Sequence, residues 1–264
     1  MDDRTHMASW IEGLPADGRY TFTRQDAEDA SGGSFVAVQS ALRRLKKKGR
    51  IASPRRGFYV LVPPEHRAAG SPPASWFIDD LMRYCGCQYY VGLLSAAALH
   101  GAAHQQPMVF QVLTDKLSAT MKTGRVTIEA RKSRAVGRYA TTRIQTETGT
   151  MAVSTPEATA LDLVRFPRAA GYWNNIATVL AELAETMDPT RLVEAAALGQ
   201  LPDAQRLGYL LDLVEQEQLA GPLAEWLAAQ RTTVVSLRTE KEAEGHEVHP
   251  RWRVIPNESV EPDL

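Results

Sequence analysis

Cysteine is scarce in this 264-residue sequence, which contains only Cys85 and Cys87. Two thiols that lie one residue apart are too few for a disulfide scaffold and fit a reducing compartment. Long apolar runs are also lacking, since the longest, 91–103, contains Ser95 and His100 and is shorter than the roughly 20 residues that cross a bilayer. The chain does not start with a basic segment followed by an apolar one, so we expect no secretory signal and a cytoplasmic location.

Motifs of common enzymes are missing as well. The sequence has no Walker loop, no Gly-x-Ser-x-Gly elbow and no His-Glu-x-x-His motif. Gly33-Ser34 resembles the start of a phosphate loop, but no Asp-x-Asp pair for a metal follows it. A hydrolase built from Ser154, a histidine and Asp162 stays open, although no motif favours it. We therefore expect a protein that is not an enzyme and that needs no cofactor.

One pattern resembles a zinc site. Cys85-x-Cys87 is followed by His100-x3-His104, but zinc-finger cysteines need two to four intervening residues to bring both sulfurs to one ion. With a single intervening residue on an extended chain, the two thiols point to opposite faces. The sequence therefore predicts no metal site and indicates buried thiols with a histidine at a helix end.

Length and composition predict a globular chain. With 44% apolar and 23% charged residues, and at about 150 residues per domain, it should hold one large or two modest domains. The net charge of -1 hides an asymmetry, because residues 1–143 contain 21 Lys/Arg against 12 Asp/Glu, whereas residues 144–264 contain 9 against 19. A basic first half indicates contact with a polyanion, and the acidic second half suits a different partner or shields the first half.

Two proline pairs, Pro63-Pro64 and Pro72-Pro73, mark a boundary between domains. They forbid helix and favour an extended, semi-rigid connection. The sequence therefore predicts a first domain at 1–62, a proline-rich linker at 63–75 and a second domain at 76–264.

The first domain has the helix order of a helix-turn-helix. Thr23-Arg-Gln-Asp26 forms a capping box for a short helix that ends near residue 30, and a glycine-rich turn follows. A second helix is predicted over 34–48, with Ser34 as its N-cap and Gly49 just after its end. The apolar residues of this helix recur as one stripe that should be buried, namely Phe35, Val38, Leu42 and Leu45.

Residues 50–61 then predict two short strands around a turn that carries Arg55 and Arg56, so a basic wing follows the second helix. In a winged helix-turn-helix, the second helix enters the major groove, where small and polar residues near its N-terminus contact base edges. Lysine and arginine side chains on this helix and on the wing contact phosphates. We expect double-stranded DNA as a partner, bound through Ser34, Gln39, Ser40, Arg43, Arg44, Lys46, Lys47, Arg55 and Arg56.

The second domain is predicted to be α+β, with a small sheet followed by a helical block. The expected strands lie near 108–114, 125–131, 140–146 and 150–154, with short pieces at 232–237 and 252–255. The expected helices lie near 76–84, 91–100, 156–165, 171–186, 189–198, 203–216 and 221–230.

Two charged features of the second domain are less specific. Residues 116–143 contain eight Lys/Arg and one acid, Glu129, and this stretch is either a solvated surface or an auxiliary anion-binding face. Glu157 and Asp162 lie five residues apart on one predicted helix and are expected to compensate its N-terminal dipole and to solvate its surface.

Four segments, in a fixed order, carry a resemblance to a known family. They are Gly49-Arg-Ile-Ala-Ser-Pro-Arg-Arg-Gly-Phe-Tyr-Val-Leu61, Tyr89-Tyr-Val-Gly-Leu-Leu-Ser-Ala-Ala-Ala-Leu-His-Gly101, Phe110-Gln-Val-Leu-Thr-Asp-Lys116 and Ser154-Thr-Pro-Glu-Ala-Thr-Ala-Leu-Asp-Leu-Val164. Together they resemble the AbiEi antitoxins of bacterial type IV toxin-antitoxin systems, which act in abortive phage defence.

The resemblance implies an N-terminal domain that represses its own operon by binding inverted repeats in the promoter. It also implies that 76–264 is an antitoxin domain, which counters a nucleotidyltransferase-like toxin without needing a stable complex. It assigns no individual residue of the second domain. A nucleoid-associated protein of the cytoplasm is expected on this basis.

Two other functions stay open. One is a repressor whose second domain binds a small molecule and thereby changes DNA affinity. The other is an enzyme whose DNA-binding module delivers a catalytic second domain to nucleic acid. The basic stretch 116–143 suits the enzyme, but it supplies almost no carboxylates for a metal-dependent nuclease.

Overall fold

The first domain contains the predicted helix-turn-helix and wing, together with one helix and one strand that the sequence pattern did not predict. In the computed structural model, which describes residues 3–102 and 107–263, its elements are α1 (Asp3–Gly13), β1 (Thr21–Thr23), α2 (Arg24–Ser31), α3 (Phe35–Lys47), β2 (Ile51–Arg55) and β3 (Phe58–Leu61). α1 and β1 are the unpredicted elements. β3 lies between β1 and β2 and runs antiparallel to both.

The ends of α2 and α3 are set by local chemistry that the sequence made visible. The Thr23 hydroxyl accepts a hydrogen bond from the Asp26 amide at 3.1 Å, and the Asp26 carboxylate accepts one from the Thr23 amide at 2.6 Å. Ser34 caps α3 by accepting a hydrogen bond from the Ala37 amide at 3.3 Å. Gly49 follows the end of α3 with φ +65°, a conformation that glycine adopts without strain. The predicted capping box and N-cap are confirmed.

The predicted buried stripe of α3 is correct for most of its length and wrong at its start. Val38 and Leu42 are fully buried and Leu45 is partly buried, in a core shared with α1. Phe35 is 51% exposed. Its ring instead lies under the guanidinium of Arg24, whose Cζ is 5.2 Å from the ring centroid, so the first turn of α3 projects beyond the core.

The proline-rich segment 63–75 is not extended throughout its length. It forms two short 3-10 helices, Pro64–His66 and Ala74–Trp76. Between them, the Ala69 carbonyl accepts a hydrogen bond from the Arg125 amide at 2.8 Å. The segment is therefore held against the second domain by its own backbone.

The second domain has the predicted succession of a sheet and a helical block. Its elements are α4 (Ile78–Tyr84), β4 (Tyr89–Val91), α5 (Leu93–Leu99), β5 (Phe110–Thr114), β6 (Ala119–Thr123), β7 (Val126–Lys132), β8 (Thr141–Thr146), β9 (Gly149–Ser154), α6 (Pro156–Arg165), α7 (Tyr172–Leu183), α8 (Pro189–Leu198), α9 (Leu201–Leu213), α10 (Glu217–Ala228), β10 (Val235–Ser236) and β11 (Val254–Ile255). No helix in the described ranges is long and apolar enough to span a bilayer.

The large sheet separates two hydrophobic cores. Its strand order is β6-β7-β5-β4-β9-β8, with β4 antiparallel to β5 and parallel to β9. Because side chains alternate along a strand, Tyr90 and Leu113 face the helical block, whereas Val91 and Val112 face the other core. The sequence pattern missed β4 and β6, and it placed the start of a helix at 91 although residues 89–91 form β4.

The first domain contributes side chains to the core that contains Val91 and Val112. Phe58 and Val60 of β3 are buried together with Phe77, Leu81 and other side chains beneath the sheet. Burying a side chain of this size contributes about 1.5–3 kcal/mol. The two domains are therefore joined by a continuous core.

One close contact in the helical block gives a test of this fold. Gly208 lies inside α9 against the indole ring of Trp252, and a Cβ atom on Gly208 would overlap that ring. We expect Gly208→Ala to lower the free energy of unfolding by about 1–3 kcal/mol, measured by urea denaturation.

The matched control is Gly13→Ala at the end of α1, where φ is -78° and ψ is -26° and no atom lies within 4 Å of an added Cβ. Alanine is favoured over glycine inside a helix by about 0.8–1 kcal/mol, so this variant should be unchanged or more stable. Equal stability of the two variants would contradict the contact between Gly208 and Trp252.

Candidate nucleic-acid interface

The outer face of α3 carries most of the residues that were predicted to contact DNA. Six of them are exposed, namely Ser34, Ser40, Arg43, Arg44, Lys46 and Lys47. Gln39 is half-buried at the flank of the helix. The Ser34 hydroxyl serves as the N-cap of α3. Ser34 therefore holds the first turn of the helix in place, and it also lies at the surface.

The side of α3 opposite its buried face has a simple composition. Val38 and Leu42 point inward, and positions that lie about half a helical turn away point outward. These outward positions form one stripe spaced by four, three and four residues, which we call the outer stripe: Val36, Ser40, Arg43 and Lys47. Its N-terminal half is apolar and hydroxylic, and its C-terminal half is cationic.

Val36 is the residue in this stripe that the sequence reasoning missed. Its side chain is 69% exposed. The signal was present, because Val36 precedes Ser40 by four residues and lies opposite Val38 on a helical wheel. An apolar residue is easily assigned to a core by type alone, whereas its position on the wheel places it outside.

The basic side chains of α3 and of the wing tip have no carboxylate partner within the described residues. The unpaired cations are Arg43, Arg44, Lys46, Lys47, Arg55 and Arg56. Other arginines of the same domain are neutralised, since Arg24 lies 3.3 Å from Glu28 and Arg50 lies 2.7 Å from Glu12. Unpaired like charges on one surface repel each other, and a polyanion relieves that repulsion.

The wing is anchored to the second domain at its tip. The Tyr84 hydroxyl donates a hydrogen bond to the Arg56 carbonyl at 3.0 Å, and the Tyr84 ring contacts Phe58 with 5.4 Å between centroids. Gly57 has φ +83° at the turn, and a Cβ there would come within 2.6 Å of the Tyr84 oxygen. The side chains of Arg55 and Arg56 remain exposed, so the hairpin presents both charges from a fixed backbone.

The wing tip also lies beside a thiol. Burial raises the pKa of Cys85, and the neighbouring positive charge of Arg55 opposes that rise. Both cysteines are free and half-buried. The chain turns at Gly86, where φ is +63°, so the cysteine pair does not lie on the extended chain that the sequence predicted.

The metal-like pattern does not assemble in the part of the chain that the structure describes. His104 lies outside the described residues, and within them no group of three metal-binding side chains occurs. His100 follows the end of α5, as expected, and its Nε2 donates a hydrogen bond to the Ser154 carbonyl at 2.7 Å.

The three groups of the hydrolase hypothesis do not contact one another as a catalytic triad would. The Ser154 hydroxyl bonds with the Thr159 hydroxyl at 2.7 Å, whereas His100 reaches only the backbone oxygen of Ser154. Asp162 instead accepts a hydrogen bond from the Tyr90 hydroxyl at 2.8 Å. A nucleophile needs its base within hydrogen-bond reach, and among the histidines that the structure describes none forms a hydrogen bond with the Ser154 hydroxyl.

The expectation that Glu157 and Asp162 are surface residues is wrong. Glu157 is 2% and Asp162 is 0% exposed. Glu157 accepts a hydrogen bond from the Asp188 amide at 3.0 Å and so fastens α6 to the start of α8. Almost all of α6 is buried between the sheet and the other helices. The sequence of α6, in which small and apolar residues alternate, does not reveal this burial on its own.

Two cations of the basic stretch 116–143 have structural partners. Arg143 lies 3.0 Å from Asp79, and Arg131 lies 2.7 Å from Glu129. These two charges are neutralised inside the second domain. The stretch as a whole is therefore less cationic than its composition indicates.

A helix-turn-helix with a basic wing, joined to a second α+β domain, defines a winged-helix protein of two domains. Residues 15–62 match the family described as "Transcriptional regulator, AbiEi antitoxin", and residues 90–213 match the family described as "AbiEi antitoxin C-terminal domain". The two matches together span about two thirds of the chain. The chain belongs to the AbiEi antitoxin family, and its roles at that level are those of an antitoxin and a transcriptional regulator.

A solved structure has the same fold along nearly the whole length. The crystal structure of the RV2827C protein from Mycobacterium tuberculosis is similar with a TM-score of 0.65, covering 95% of this chain and 91% of that chain. The sequence identity is 18%, so this likeness concerns the fold alone. No curated protein matches the chain.

The buried carboxyl of Asp162 predicts a pH dependence of stability. Burial raises the pKa of Asp162 to about 8, although the hydrogen bond from Tyr90 lowers it in part, and its other oxygen has no hydrogen-bond partner among the described residues. An unfolded aspartate titrates near pH 4, at about 3.9. Between the pKa of the unfolded state and that of the folded state, the folded protein keeps a proton on Asp162 that the unfolded protein has lost. The free energy of unfolding therefore falls as the pH rises.

We expect Asp162→Asn, which imitates the protonated carboxyl, to weaken that fall. Between pH 5 and 8, the stability of the variant relative to the wild type should rise by about 1 kcal/mol per pH unit, measured by urea denaturation at several pH values. Asp17→Asn is the control, because Asp17 is exposed. Parallel curves for wild type and Asp162→Asn would show that Asp162 is ionised in the folded protein.

Proposed function

We propose that this protein represses its own operon by binding inverted repeats in the promoter, and that it is the antitoxin of a type IV toxin-antitoxin system in phage defence. The observation that carries the DNA-binding part is the outer face of α3, where the basic side chains are exposed and have no carboxylate partner among the described residues. The family's description as a transcriptional regulator supports this assignment.

The proposed base contacts and phosphate contacts follow from the groove geometry of DNA. The N-terminal turns of α3, with Ser34, Gln39 and Ser40, approach base edges. Cations in the C-terminal half of α3 and at the wing contact the phosphates that flank the groove. These cations are Arg43, Arg44, Lys46, Lys47, Arg55 and Arg56. Phosphate contacts supply affinity, and base contacts supply the preference for one sequence.

The second domain, 76–264, carries the proposed antitoxin role. Its target is a nucleotidyltransferase-like toxin, which it opposes without requiring a stable complex. The family description of residues 90–213 as an antitoxin domain supports the role. A location in the cytoplasm at the nucleoid follows from the proposed operator binding.

A fluorescence-anisotropy titration tests the repressor part. We expect the full-length protein to prefer its own upstream DNA over a scrambled duplex by about a hundredfold or more. The affinity should also fall steeply with salt, because each neutralised phosphate releases counterions. Equal, weak binding to both duplexes would reject sequence-specific repression.

The same titration tests the wing. Arg55→Ala/Arg56→Ala should weaken binding to both duplexes by a similar factor and flatten the salt slope by up to about one unit per lost contact. Arg191→Ala/Arg231→Ala removes the same charge from exposed positions of the second domain and is the matched control. An unchanged slope in the wing variant, with the wild-type melting temperature, would remove the wing from the interface.

A growth assay tests the antitoxin part. The toxin encoded in the same operon and this protein are expressed from separate inducible promoters, so repression of the operon cannot affect the result. We expect wild type and Arg55→Ala/Arg56→Ala to restore growth equally, because the wing substitutions leave the second domain intact. Failure of the expressed wild type to restore growth would contradict the antitoxin role against that toxin.

A further inference from the structure

Val36 is an exposed apolar residue whose presence the fold does not explain. Its side chain is 69% exposed in the first turn of α3, on the outer stripe with Ser40 and Arg43. A β-branched side chain loses rotamer freedom in a helix, so valine contributes less than alanine to helix stability. Val36 is also absent from the hydrophobic core of the first domain as the described residues form it.

The neighbouring exposed residue, Phe35, differs in this respect. Its ring is covered by the Arg24 guanidinium, and Arg24 is held in turn by Glu28. Phe35 therefore has a partner within the domain. Val36 lies on the opposite side of the helix from the buried Val38 and points to solvent.

The major groove offers one apolar group to such a side chain. Each base edge there presents hydrogen-bond donors or acceptors, and thymine alone adds a methyl group at C5. In helix-turn-helix proteins, the residues at the N-terminal end of the second helix reach the base edges. Val36 occupies that end, whereas the cations of the outer stripe lie nearer the C-terminal end of α3.

We propose that Val36 is a specificity-determining residue that contacts the C5 methyl group of a thymine in the operator. The inference rests on the proposed binding of α3 in the major groove. Val36 and Ser40 are separated by about 6 Å along the helix axis, one turn of α3 apart. Val36 therefore contacts the thymine methyl group at a point in the groove separate from the one that the Ser40 hydroxyl reaches.

Replacement of thymine by deoxyuridine tests this contact, because it removes the methyl group and leaves base pairing intact. Each thymine of an operator half-site is replaced in turn, and the affinity of the full-length protein is measured by fluorescence anisotropy. For wild type, one position per half-site should weaken binding about fourfold, which corresponds to one buried methyl group. The other positions should change the affinity less than about twofold.

Val36→Ala provides the second arm of the experiment. The variant should bind the thymine operator about fourfold more weakly than wild type, and the deoxyuridine operator at the sensitive position as strongly as the thymine one. Since Val36 is exposed and alanine favours helix, its melting temperature should not fall. Val248→Ala, at another exposed valine that is 43% exposed in the second domain, is the matched control and should retain the wild-type response.

The outcomes separate the inference from the proposed function. Specific binding with no thymine position sensitive to the methyl group, or an equal loss for Val36→Ala on both duplexes, overturns the role of Val36 and leaves repression intact. Absence of any preference for the operator overturns both. A change in the solution mass of Val36→Ala without DNA would assign Val36 to a contact between protein copies and overturn the methyl contact.

Discussion

Strand β3 contributes both to the wing sheet and to the core beneath the large sheet, and the arrangement of the two domains depends on it. As the central strand of the wing sheet, it pairs with β1 and β2. Its side chains alternate, so Phe58 and Val60 enter the core beneath the large sheet, whereas Tyr59 and Leu61 pack against the core of the first domain. A shift of one residue in its register would exchange these two sets. The position of the wing relative to the second domain is thus set by hydrophobic burial.

The charged side chains near the junction of the two domains differ from those on α3 and the wing tip. Acidic residues neutralise the arginines near the junction, as Asp79 does for Arg83 and Arg143. The cations of α3 and of the wing tip are left without carboxylates among the described residues. An exposed ion pair contributes little to stability, so this difference matters less for folding than for binding. It leaves the cations of α3 and of the wing tip available to a polyanion on a chain whose net charge is -1.

Elements with a local chemical signal could be predicted from the sequence. α3, α6 and α8 each begin with a capping side chain or a proline in the first turn, and their bounds agree with the structure to within one residue. Short strands such as β4 and β6 have no such signal, because their conformation depends on partners far along the chain. Most of the predicted DNA-contact residues lie on α3, and Arg55 and Arg56 lie at the wing tip, because both elements have local signals of this kind. Burial of Asp162 was unpredictable, since it depends on helices that close over α6 only in the folded domain.

The shared strand also limits how the two proposed roles can be separated. Removing the first domain would delete Phe58 and Val60 and expose the core beneath the large sheet, which includes Phe77 and Leu81. Removing the second domain would uncover the same two side chains of β3, at a cost of about 1.5–3 kcal/mol for each. Either truncation therefore changes stability together with function. Substitutions on the outer face of α3 touch neither core, so a separation of repression from antitoxicity has to be made there.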